Sequence, residues 1–425
     1  MTLPDRMTGD LARICDLGGR LCGTASEAAA IALLADLGRA ATGAPAQLEP
    51  VAYDGWRAVS ASLTGPDGRA HRLHPLVRSA PTPAGGIEAE VIDLGRGTAE
   101  EFAAHAREIP GRIVLVRHEM MFAAGTIHRR FKIAAAREAG AAAFLIAGPE
   151  RGSLVTGSAR SPGEAGMPAA GIAPETAEAL ARTARGRPSV RLRIATEEAP
   201  AGSNNLHFDI EGDGPGRVVL CAHLDGHDLA ESANDNASGL AVALEVARRV
   251  LPTRAGWRRS LRLAFFTVEE WALTGSAQHV AALSPAERAA TALVVNLDSV
   301  GGGAALTALT SGFEGIEDLL LRSAETTGVP LHLFRPHQRN SDHANFAEAG
   351  IPAFRLVAGF GDAAAAACRV LTEHDRRDAV SGAALERAAT LTTGIVLSAL
   401  RADAAETSGW RRRPGHDTPP ERTGG

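Results

Sequence analysis

From about Ser203 the chain alternates short, almost wholly apolar runs with helical stretches, and several of the runs end on a histidine or an acid. The strand candidates are NLHFDIEG, GRVVLCAHLD (216–225), SLRLAFFTVEE (260–270), TALVVNLDSV (291–300) and GIPAFRLVAG (350–359). Between them lie SGLAVALEVARRVL (238–251), TGSAQHVAALS (274–284), FEGIEDLLLRSAETTG (313–328) and DHANFAEAG (342–350), all with helical spacing of apolar positions. Near-continuous apolar strands separated by helices predict a mostly parallel sheet covered on both faces. In such sheets ligands collect beyond the carboxyl ends of the strands. His223, the pair Glu269–Glu270, and Asp298 all fall at such ends.

The first two hundred residues differ in texture. SEAAAIALLADLGRAAT (26–42) has helical periodicity with Ser26 as its expected N-cap. Residues 52–90 are strand-like and turn-rich, then GRIVLVRH (111–118), the helical RRFKIAAAREAG (129–140), the apolar AAAFLIAG (141–148) and PAAGIAPETAEALARTA (168–184) form a strand–helix–strand block. At 425 residues the chain is too long for one core, and this block reads as a second module. Beyond about Arg401 the sequence GWRRRPGHDTPPERTGG is poor in apolar residues, and a solvated, disordered tail is expected from 403 to 425.

Composition narrows the function classes. A formal charge of −5 gives no electrostatic reason to expect nucleic acid or an anionic membrane as partner. The four cysteines show no CxxC pair and no even framework, so reduced thiols and a cytoplasmic location are expected. Met1–Leu17 has no apolar core of a signal peptide, and no stretch reaches about 18 uninterrupted apolar residues.

Five metal-type side chains follow in order: His223, Asp235, Glu270, Asp298 and His374, with Glu269 beside the third. Two neighbouring divalent ions need about this set: a bridging carboxylate, a terminal carboxylate and a terminal histidine, and a free base nearby. Asp225 follows His223 by two residues, so in an extended segment both side chains share a face, and Asp225 can fix the histidine tautomer. Alone, each has an ordinary explanation: H-x-D as a solvated loop, Asp235 as a helix cap, His374 as a surface histidine. Glu269 and Glu270 end an apolar strand, where adjacent side chains diverge, one toward metal and one toward substrate. Ser341-Asp342-His343 cannot line up as a relay triad, and Gly212-Asp-Gly-Pro-Gly precedes its strand and reads as a turn.

The runs AHLDG, ANDNASG, TVEEWALTGS, NLDSVG, NSDHANFAEAGIPA and EHDRRD resemble the co-catalytic zinc exopeptidase family of leucine-type bacterial aminopeptidases, glutamate carboxypeptidases and glutaminyl cyclases. The resemblance covers about 203–400, with GRLCGTASEAAAIALLADL as the family's N-terminal helix. It implies an α/β zinc exopeptidase fold: a mostly parallel mixed sheet sandwiched by helices, with a smaller inserted protease-associated domain. The expected division is 1–55 and 201–402 for the catalytic domain and 56–200 for the insert. It also implies two Zn2+ per chain, with Co2+ or Mn2+ fitting the same set. Asp235 would bridge, His223 and Asp298 would complete one site, Glu270 and His374 the other, and Glu269 would be the general base with Asp225 orienting His223. The implied activity is hydrolysis of a peptide or amide, most readily as an aminopeptidase. A small-molecule amidase or N-acyl amino acid hydrolase is the alternative, and a single-zinc acyltransferase a further one; a homo-oligomer stays open. The only tyrosine is Tyr53, so the tyrosine that steadies the tetrahedral intermediate in many such aminopeptidases has no counterpart in the catalytic segment. Arg339, Asn340 or His343 is the expected substitute in the substrate pocket.

Overall fold

The computed structural model describes residues 3–184 and 189–413. Its frame is a pair of long antiparallel strands, Gln47–Thr64 and Ser189–Ile210, paired from Gln47 opposite His207 to Thr64 opposite Arg191 with one register shift between Ala58 and Ser60. A 22-residue strand spans about 70 Å, so this ladder runs through both lobes of the molecule. The expected boundaries at 55/56 and 200/201 fall inside it: Asp54 pairs with Pro200 and Gly55 with Ala199. The insert is therefore tied to the catalytic lobe by continuous backbone pairing instead of a loose linker.

On the catalytic side the strand order is Leu331–Phe334, Leu306–Leu309, Ala353–Ala358, Thr291–Leu297, Arg217–His223, Ser260–Phe266 and then the long Ser189–Ile210 strand. Arg217–His223 is parallel to both neighbours, with Val218 level with Leu261 and Leu293. Leu306–Leu309 runs antiparallel to Ala353–Ala358 and parallel to Leu331–Phe334, and Ser189–Ile210 runs antiparallel to Ser260–Phe266, so the sheet is mixed. The apolar runs are buried because helices cover both faces. Ser238–Val250 lies on the sheet through small buried residues such as Ala241, Ala243 and Ala247, which let backbone approach backbone. Glu245 is buried within that helix and is held by Arg6 at 2.9 Å and Arg249 at 3.0 Å. The apolar helix Gly382–Arg401 packs on Ser238–Val250 and Glu317–Thr327 as a core element.

The inserted lobe continues the sheet with Ile87–Asp93, Ile113–Arg117, Ala143–Ala147, Ala169–Ile172 and Leu73–Pro75, flanked by Arg129–Glu138 and Pro174–Ala184. It has its own apolar core around Leu115, Leu145 and Ile172.

Two local expectations are corrected. The helix Ala25–Thr42 is capped by Thr24, whose hydroxyl accepts from Glu27 N; Ser26 instead donates to Leu17 O and accepts from Arg20 N. The disorder expected from 403 does not hold for residues 403–413. Ala404–Gly409 is helical, and Trp410, 2% exposed, joins the main core, because one large aromatic offsets the polar composition around it. Arg411 also donates to the carbonyls of Arg288, Ala289 and Thr291. Residues 414–425 lie outside the described residues.

Candidate metal centre

Three adjacent parallel strands end at one rim and deliver His223, the Val268–Glu270 turn and Asp298 together. Asp235 arrives from the irregular Ala233–Ala237 segment that leads into Ser238–Val250. His223 Nε2 lies 3.0 Å from Asp235 Oδ1 and 3.8 Å from Asp298 Oδ1. Ligand atoms of all three residues fall within 4.8 Å of one another, and all three residues are buried. Backbone geometry at the rim is unusual: Ser232, Val268, Ala272, Leu273 and Ser299 all have positive φ without being glycine. For β-branched Val268, at φ 55°, this is a costly conformation held by its surroundings. It turns the chain directly before Glu269 and Glu270.

Asp225 does more than face His223. Its Oδ1 accepts from Glu269 N at 3.1 Å, its Oδ2 from Glu270 N at 3.2 Å and from Cys22 Sγ at 3.2 Å. His223 Nδ1 is 3.2 Å from Asp225 O. Asp225 therefore holds the histidine through its backbone carbonyl, and both glutamates and the N-terminal segment through its carboxylate. Arg20, fully buried, adds a second brace by donating to the carbonyls of Leu224, Gly18, Glu231 and Ser232.

The electrostatics are those of a cation site. Burial, reinforced by Asp342, Glu270 and Asp298, pushes Glu269 well above the usual carboxylate range despite His223 beside it. Burial and the Asp235 charge do the same to Glu270. For His223, burial opposes protonation, but Glu269 and the hydrogen-bonded Asp225, Asp235 and Asp298 outweigh it and hold the imidazole well above its usual range. Asp298 runs the other way: burial raises it, yet Arg355 and His223 hold it below the usual range. Glu270 Oε1 is buried with no hydrogen-bond partner. Several acids crowded out of water with one orphaned oxygen are costly alone and are relieved by divalent ions, so these residues fit a metal.

Asp235, Glu269, Glu270 and Asp298 line a cavity of about 460 Å³, and Arg339 and Asn340 line it too. His343 is fully buried with both ring nitrogens unpartnered, and burial holds it neutral; it is not among the cavity-lining residues. His374 is placed differently from the cluster. Its side chain is 41% exposed and its Nδ1 pairs with Glu150 of the inserted lobe. The neighbouring Asp375 is buried and accepts from Asn234 N at 2.7 Å and Asp235 N at 3.1 Å, so the segment still braces the Asp235 loop.

Two site residues escaped the sequence reading. Asp375 gave only an H-D dipeptide as a signal. Arg355, 1% exposed, pairs with Asp298 Oδ1 at 3.1 Å and donates to Asn340 O at 2.8 Å. Its signal was a lone arginine inside the apolar run AFRLVA. Elsewhere, Glu49 meets His207 Nε2 at 2.9 Å and His279 Nδ1 at 3.0 Å; among the described residues this is the other group with metal-ligand composition. Asn205 also donates to Glu49 at 2.8 Å, and both imidazoles meet Phe266 edge-on or tilted, so the Glu49 carboxylate is already engaged, while His207 Nδ1 has no partner.

The fold and this cluster of acids and imidazole define a zinc-dependent metallopeptidase. Residues 205–396 match Peptidase family M28, and residues 74–180, ahead of them in the chain, match the PA domain. Aminopeptidase YwaD of Bacillus subtilis is 27% identical over 339 residues, covering 79% of this chain and 72% of the relative. A probable leucine aminopeptidase 2 of Aspergillus fumigatus is 29% identical, covering 72% of this chain and 61% of the relative. Among solved structures, BSAP, a zinc aminopeptidase from Bacillus subtilis, superposes with a TM-score of 0.75 at 26% identity, covering 96% of this chain and 97% of that one.

Proposed function

We propose that the chain is a dizinc exopeptidase of aminopeptidase type. The observation that carries the reading is the convergence of His223, Asp235 and Asp298, with Glu269 and Glu270 beside them, at a cavity sized for a small substrate. In this reading Asp235 would be shared by both ions, His223 and Asp298 would hold one, and Glu270 and His374 would hold the other. Glu150 at Nδ1 leaves Nε2 of His374 as the ligand atom, in the manner of a carboxylate that orients a metal-bound histidine. Bound zinc supplies acidification of water and polarisation of the scissile carbonyl.

The remaining work falls to side chains. Asp225 fixes the imidazole of His223 and the backbone of both glutamates. Glu269, 8% exposed and bonded to no metal in this scheme, takes a proton at its carboxylate and returns it to the leaving amine. Arg339 or Asn340 supplies the donor that a tyrosine gives elsewhere. The names of the relatives support an aminopeptidase. The four unpaired cysteines, three of them buried, support a reducing compartment such as the cytoplasm.

The test is an assay of zinc-loaded protein against leucine p-nitroanilide and N-acetyl-leucine p-nitroanilide. Cleavage of the free-amine substrate alone fits the proposal. Cleavage of the blocked one alone would move the reading to an amidase.

A further inference from the structure

The cavity that holds the metal cluster is also lined by arginines: Arg129, Arg130, Arg160, Arg339 and Arg355. Three of these are committed: Arg160 to Glu198, Arg339 to Glu348 at 2.7 Å, and Arg355 to Asp298 at 3.1 Å. Arg129 and Arg130 form no ion pair among the described residues, and the acid whose charge acts on Arg129 is Glu270 of the metal cluster. Two divalent cations held by Asp235, Glu270 and Asp298 would offset the charge of those acids, Glu270 included, leaving Arg129 and Arg130 without a compensating charge in the cavity.

Arg129 is a built feature. It is 6% exposed, its Nε donates to Ser158 O at 2.9 Å, and its Nη1 is buried with no hydrogen-bond partner. Gly157 makes room for the guanidinium. A Cβ at Gly157 would fall 2.2 Å from Nη2 and 2.4 Å from Nη1, and its φ of +113° is itself a glycine conformation. Arg130 also has an orphaned Nε. Both open the Arg129–Glu138 helix, whose N-terminal amides carry partial positive charge in the same place. Burying an arginine donor unpaired is costly, and a planar guanidinium matches a carboxylate.

We propose that the inserted lobe supplies a carboxylate-recognition subsite, built from Arg129 and Arg130, so that the enzyme selects substrates with a free carboxylate near the scissile bond. The inference rests on the peptidase reading and deepens it. The carboxylate has two sources: the side chain of an acidic first residue, or the C-terminus of a dipeptide.

The experiment compares kcat/KM for matched pairs on zinc-loaded protein: Leu-Ala against Leu-Ala amide, and glutamyl against glutaminyl p-nitroanilide. In the wild type at least one ratio should favour the carboxylate by about 10-fold or more, and which one identifies the source. Arg129→Gln and Gly157→Ala should bring that ratio near one, and Arg129→Lys should restore part of it. Wild-type ratios near one, or a ratio unchanged in Arg129→Gln, would overturn the subsite. If none of the four substrates is cleaved, the aminopeptidase reading has failed and the subsite is decided by calorimetry with glutarate. Binding about 10-fold weaker in Arg129→Gln supports it; equal binding refutes it.

Discussion

Replacing Asp225 with asparagine tests how the centre is assembled. The carboxylate uses Oδ1 for Glu269 N and Oδ2 for Glu270 N and Cys22 Sγ. Asparagine keeps one acceptor and turns the other into an NH2 group facing a backbone N–H. Either orientation of the amide therefore releases one of the two glutamates. A hydrogen bond to a charged acceptor is worth about 1.5–3 kcal/mol, and the site is buried, so stability should fall by about 2–3 kcal/mol. Displacing a catalytic group by about 1 Å costs roughly 10²-fold in rate. Asp225→Asn should thus lower kcat by about that factor, with bound zinc reduced when Glu270 is the residue released. Urea unfolding, metal analysis and saturating kinetics measure the three quantities. Wild-type kcat together with an unshifted unfolding midpoint would refute the idea that Asp225 positions both glutamates.

Other substitutions separate the remaining roles. Glu269→Ala should retain zinc while kcat falls roughly 10²–10⁴-fold, as expected for loss of a proton-transfer group; loss of metal in its place would make Glu269 a ligand. His374→Ala should reduce bound zinc from two ions to one by metal analysis, and retention of both would free His374 from that role. Gly19→Ala would set a Cβ 1.6 Å from His227 O, next to the Arg20 brace, and should destabilise the fold by about 1–3 kcal/mol in urea unfolding. His227 is fully buried, and burial holds its imidazole down to about 3. Below about pH 6.5 the unfolded chain binds a proton that the folded chain refuses, so its contribution to stability is lost as pH falls from there toward 3. Between pH 7 and 4.5 the wild type should lose about 2–3 kcal/mol more than His227→Gln, and equal losses would contradict the assignment.

Much of the centre was legible because its chemistry is written at strand ends. An apolar run that stops on His223, Glu269–Glu270 or Asp298 reports both a buried strand and a polar group at its carboxyl end. Parallel pairing then brings those ends together without further information. Contacts between distant segments left no such trace. Arg355 reaches Asp298 across 57 positions, and Arg129 enters the cavity from another lobe, so periodicity could not connect them. The pairing that joins the two lobes was hidden for a related reason. Gly-Pro and Pro-Asp-Gly turns near 65–68 mark the lobe, but strand texture runs without a break through Asp54 and Gly55. Trp410 shows the limit of composition: a single aromatic anchored a segment whose average polarity pointed to solvent.

The central claim is that one rim of the sheet grips two cations. Anomalous diffraction at the zinc edge from zinc-loaded crystals locates them directly. The account predicts two peaks roughly 3.5–4 Å apart with Asp235 between them, His223 and Asp298 on one side and Glu270 and His374 on the other. A single peak there, or peaks only at Glu49, His207 and His279, would contradict it.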